Sequence, residues 1–105
     1  MLLFKYPILK NEFNEITARL RTILFAIAGW RDFYYHKDVV ITSLIRRDNT
    51  NSVHYYGRGA DLRIHDWTND EISRVKLWID TQFPYGKGKP TFYPESGHIH
   101  IQVPL

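Results

Sequence analysis

A chain of 105 residues, 44% apolar and 24% charged, has material for one hydrophobic core, so a single domain over residues 1–105 is expected. The absence of cysteine removes disulfides, thiolate metal ligands and a cysteine nucleophile. A formal charge of +3 and a pI near 9.3 favour anionic partners, but no run of five basic residues exists, which argues against a nucleic-acid arm.

Leu2-Leu3-Phe4 is interrupted by Lys5, Pro7 and Lys10 and lacks the pattern of a signal peptide, so synthesis in the cytoplasm is expected. The longest apolar run, residues 23–30, is too short to span a bilayer. Phe13, Ile16, Leu20, Ile23, Leu24 and Ile27 recur at helical spacing, with Asn11 as the N-cap and Gly29 as the stop. Residues 30–37, aromatic and charged, read as an irregular connection carrying His36. Residues 38–43 form a β-branched strand, and a polar loop over 46–52 follows.

Residues 59–64 alternate, with Ala60, Leu62 and Ile64 on one face and Asp61 and Arg63 on the other. Thr68-Asn69-Asp70-Glu71 reads as a capping box. The helix it opens has Ile72, Val75, Trp78 and Ile79 as its apolar stripe. After a loop over 84–90, residues 91–93 and 98–103 read as two short strands, a hairpin around 94–97. In the last strand His98, His100 and Gln102 share one face, and Ile99, Ile101 and Val103 the other. This order predicts an α+β domain with helices packed on one side of a mainly antiparallel sheet. His36, His65 and Asp66 follow no spacing and read as surface residues.

Two stretches carry chemistry. The first runs from Ser52 to Asp61, with His54 and Asp61 seven positions apart and Gly57, Gly59 and Ala60 allowing a tight turn into a strand. The second is His98-Ile99-His100. Two imidazoles and one carboxylate converging on one spot make a three-donor zinc site with an open fourth position, which is the catalytic form. Either histidine of the final pair satisfies that chemistry.

The order and separation of these stretches resemble the zinc D-Ala-D-Ala carboxypeptidases and endopeptidases, and the hedgehog signalling domain that shares their fold. The family pattern is Ser-x-His-x-x-Gly-x-Ala-x-Asp. Here Ser52, His54, Gly57 and Asp61 keep its spacing, while Ala60 stands one place late, directly before the aspartate. The resemblance covers roughly residues 40–103, closing on His-Ile-His.

The resemblance implies that His54, Asp61 and His100 hold zinc and that His98 lines the site. There His98 would hydrogen-bond the attacking water, stabilise a charged intermediate, or simply occupy the wet face; as a fourth ligand it would close the site. Glu95 is the implied general base. In the peptidases the acid stands three residues before the ligand histidine, where this chain has Gly97. Glu95 stands five before His100, a longer spacing of the kind the hedgehog domain tolerates. Arg46 is implied as the oxyanion-stabilising and substrate-binding guanidinium, with Arg47 as the alternative. Leu44 and Ile45 replace the glycine and aromatic that the family prefers there.

Ser52 either binds a substrate terminus or turns the chain. Tyr55, Tyr56 and Tyr93 either wall the cleft or pack the core. The implied activity is a monomeric zinc metallopeptidase of phage or prophage lysis type. It would cut peptidoglycan stem peptides at or beside D-alanine, reaching the wall after release or export. The alternative is a hedgehog-like module that keeps zinc without turnover. A small basic nucleic-acid-binding protein, supported only by charge and aromatics, ranks far below both.

Overall fold

The computed structural model describes residues 1–45, 52–54, 56–84 and 86–104. Its elements run β1 (Leu2–Phe4), α1 (Ile8–Phe13), α2 (Ala18–Tyr35), β2 (Val39–Ser43), β3 (Gly59–Arg63), α3 (Asn69–Gln82), β4 (Thr91–Glu95) and β5 (His98–Gln102). The sheet order is β1-β2-β3-β5-β4, with β1 and β2 parallel and every other neighbouring pair antiparallel. The α+β class and the mainly antiparallel sheet are as expected. The parallel edge strand formed by Leu2–Phe4 was not foreseen.

Strand alternation divides the sheet into two faces of different chemistry. Val39, Ile41, Ala60, Leu62, Phe92, Ile99 and Ile101 join the buried residues of all three helices in one apolar cluster. The opposite face carries Asp61, Arg63, His98 and His100. Register places Asp61 opposite His100, and His98 between Arg63 on one side and Glu95 on the other.

The first predicted helix is two helices. Thr17, not Asn11, is the N-cap of α2: it is extended, and its hydroxyl accepts the Leu20 N–H at 3.3 Å. The Thr17 N–H is drawn away to the Gly57 carbonyl at 3.0 Å, a tertiary bond that outweighs the continuing apolar period. Gly29 does not stop α2, which runs on to Tyr35 and closes at His36 in the left-handed region (φ 53°). Trp30 and Arg31 are buried in that extension, so residues 30–35 are helix rather than irregular connection.

Thr68 caps α3 by accepting the Glu71 N–H at 3.1 Å, but the reciprocal half of the capping box does not form. Instead the Glu71 carboxylate meets Arg31 Nη2 at 3.0 Å and Lys37 Nζ at 2.8 Å. Arg31 is fully buried; it also pairs with Asp66 at 3.1 Å, donates to the Asp38 carbonyl, and stacks 4.0 Å from the Trp67 ring centroid. Asp66 is therefore a partner of the buried guanidinium and not a surface residue without a role. Burial alone would raise the Glu71 and Asp66 carboxyls; the hydrogen bonds from Lys37, Arg31 and Arg63 outweigh it and hold both below their ordinary values.

Candidate metal centre

The open face of the sheet presents Asp61 from β3 and His100 from β5 side by side, because the two are register partners. The third group arrives from the turn before β3. Ser52 Oγ accepts the His54 N–H at 3.2 Å, and the Gly57 N–H returns to the His54 carbonyl at 3.2 Å. Two glycines make this turn fit. Gly57 adopts φ 69°, and a Cβ there would lie 3.1 Å from Ile16 Cα. A Cβ on Gly59 would lie 2.7 Å from a Val53 methyl and 3.4 Å from the His54 ring, so any side chain there would have to displace Val53, the neighbour of His54.

His54, Asp61 and His100 are 3%, 2% and 6% exposed, a degree of burial that polar side chains tolerate only when partnered. One donor atom from each lies within 4.8 Å of the others. Asp61 Oδ1 is the focus: His100 Nδ1 stands 3.0 Å away, His54 Nε2 3.4 Å and His98 Nε2 3.4 Å. The far nitrogen of each buried imidazole has its own acceptor. His54 Nδ1 donates to the Leu44 carbonyl at 2.7 Å, and His100 Nε2 to Gln102 Oε1 at 2.9 Å. The Leu44 bond leaves the Nε2 lone pair of a neutral His54 directed toward Asp61, the arrangement metal-binding histidines use, while His100 has an acceptor at each of its nitrogens. With Nδ1 protonated, His54 Nε2 faces a carboxylate oxygen, lone pair against lone pair, and a cation between them satisfies both. The donor set therefore fits a metal ion.

The electrostatics agree with that fit. Burial alone would raise the Asp61 carboxyl, but the hydrogen bond to His100 and the neighbouring His54 and His98 imidazoles outweigh it and hold the group far below the usual carboxylate range. Burial alone would lower His100; the bonds to Asp61 and Gln102 outweigh it and raise the imidazole. The proton so favoured on Nδ1 occupies the direction that a metal would take.

Glu95 and His98 share the wall of this cleft, which has a volume of about 330 Å³. Their side chains are 49% and 26% exposed, and Glu95 Oε2 lies 3.1 Å from His98 Nε2. Glu95 thus reaches the buried trio through His98. Ser52 lines the cleft while holding the His54 backbone, and Tyr93 packs its ring 5.2 Å from that of His100. Burial, with the charges of Glu95 and Asp61, raises the Tyr93 phenol. Tyr56 is exposed outside the cleft. Arg46, Arg47 and Tyr55 lie outside the described residues.

Gln102 and the Leu44 carbonyl are the partners of the two imidazoles that the motif did not announce. Period-two alternation already placed Gln102 on the histidine face; no sequence signal points to a backbone carbonyl. No protein-family model matches the chain, and a search of curated proteins finds none similar to it.

Proposed function

We propose that the protein is a zinc-dependent peptidase of the hedgehog/DD-peptidase type. In this reading it hydrolyses bonds at or beside D-alanine in peptidoglycan stem peptides, reached after release or export as by a phage or prophage lysis enzyme. The observation that carries a metal-dependent reaction is the convergence of His54 Nε2 and His100 Nδ1 on Asp61, at a cleft that also holds the Glu95–His98 pair. The choice of zinc rests on the mixed imidazole and carboxylate donors. The choice of substrate rests on the Ser52-to-Asp61 and His98-to-His100 motifs.

Zinc held by His54, Asp61 and His100 would supply Lewis acidity to the reaction. Gln102 and the Leu44 carbonyl keep the two imidazoles oriented. Glu95 accepts a proton from water as the new C–O bond forms, and delivers it to the amine nitrogen as the C–N bond breaks. His98, hydrogen-bonded to Glu95, sets that carboxylate's position and faces the developing charge. Arg46 is assigned to the oxyanion on the motif alone.

A second reading, zinc-containing but without turnover, is favoured by one observation: Glu95 is half exposed and contacts His98 rather than the buried trio. Digestion of purified wall peptides, with products identified by mass, separates the two. The zinc-loaded chain should release D-alanine-bearing fragments, a chelator should abolish this, and Glu95→Gln should keep the zinc while slowing turnover about a hundredfold. Binding of the peptides by the zinc-loaded wild type with no cleavage would establish the second reading.

A further inference from the structure

Beyond Asp61 and His98 the open face of the sheet continues into a second cleft of about 490 Å³, lined also by Lys5, Thr42, Arg63 and His65. The fold puts cations there from the residue that follows β1 and from the end of β3. Leu2 and Phe4 pack against the core, and the Lys5 N–H binds the Ile41 carbonyl at 2.9 Å, so strand phase turns Lys5 to the open face. Arg63 is the register partner of His98, which places their Cβ atoms about 5 Å apart on one face.

The negative charge nearby is already engaged. Asp61 is surrounded by imidazoles, and Asp66, 3.5 Å from Arg63, is shared with the buried Arg31. Lys5 forms no ion pair among the described residues and rests 5.3 Å from the Tyr6 ring centroid. An ammonium, a guanidinium fork and an imidazole thus line one hollow that shares a wall with the metal centre. Such a set recognises an oxyanion, and the guanidinium matches a planar carboxylate best.

We infer that the cleft of Lys5, Arg63 and His65 takes a carboxylate of the peptide lying across the metal centre, an inference that rests on the peptidase reading. A stem peptide offers two sources: the terminal α-carboxylate and the free carboxylate of an internal isoglutamate.

The test uses one D-alanine-terminated stem peptide in four forms, each carboxylate either free or amidated. Binding to the zinc-loaded full chain carrying Glu95→Gln is measured by calorimetry, alone and with Lys5→Gln, Arg63→Gln or both added. Lys5 is exposed, so its substitution leaves the fold intact even if Arg63→Gln disturbs the bond to Asp66. One free carboxylate should tighten binding about tenfold over its amide, and that preference should collapse when Lys5 or Arg63 is replaced. The acid–amide pair that shows it names the source.

No preference in either pair overturns the inference. So does a preference that survives the double substitution, because the carboxylate then sits on the metal. A preference lost with Lys5 and Arg63, but without hydrolysis of any form by the wild type, sinks the peptidase reading and leaves the cleft assignment standing. Hydrolysis of all four forms alike does the reverse.

Discussion

At the scale of single residues, the proposed metal centre depends as much on what holds the imidazoles as on the imidazoles. His54→Ala, Asp61→Ala and His100→Ala should each lower zinc occupancy sharply, and His98→Ala much less, as measured by metal analysis of the purified chain. Gln102→Leu keeps all three donors but removes the acceptor for His100 Nε2, so zinc affinity should fall about 10- to 100-fold in a competition titration. Unchanged affinity would mean that Gln102 is a bystander. Strand period put His98 and His100 alike on the face of Asp61, and only the family resemblance singled out His100, which lies in the buried trio with His54 and Asp61. The contact of Glu95 with His98 was not legible, since residues 94–97 read as the turn, whereas β4 runs on through Glu95 and the two-residue turn makes it the register partner of His98. The carbonyl of Leu44 carries no sequence signature at all.

At the scale of elements, β3, β4, β5 and α3 were legible because alternation and a Thr68 cap are local codes. The helical layer was read less well for a tertiary reason. The apolar stripe from Phe13 to Ile27 keeps helical phase straight through the break, and only the bond from Thr17 to Gly57 reveals that the chain leaves the helix there. The strand β1 is three residues long and pairs in parallel, so its partner lies across two intervening helices. Gly29 misled for the opposite reason: it looks like a stop but lies exposed inside α2, with nothing within 4 Å of where a Cβ would be. Gly29→Ala should therefore stabilise the protein by about 0.5–1 kcal/mol in chemical denaturation, through helix propensity alone. A loss of stability would show that the bend or backbone freedom at Gly29 is used.

At the scale of the whole molecule, the Arg31 network joins α2 to α3 and to the turn after β3, and it gives the fold a defined acid response. The Glu71 and Asp66 carboxyls are held below their ordinary values in the folded chain, so the unfolded chain binds more protons as pH falls. The stability they contribute is present at neutral pH and is lost below about pH 4. Glu71→Gln should cost about 3 kcal/mol at neutral pH, because Arg31 stays buried with half its carboxylate partners gone. The same variant should flatten the acid limb of a urea-denaturation series. An unaltered pH dependence would place the acid response elsewhere.

The bond between Thr17 and Gly57 has a consequence that reaches beyond helix geometry. The Gly57 N–H is tied to the His54 carbonyl and the Gly57 carbonyl to the Thr17 N–H, so a short relay of peptide groups links His54 to the start of α2. Anything that tightens His54 slows the opening that exposes the Thr17 amide to solvent. Its deuterium uptake should therefore drop when zinc is added and recover with chelator, making this amide a reporter of occupancy that needs no attached probe. Exchange at Thr17 indifferent to zinc would show that the turn and the helical layer breathe independently.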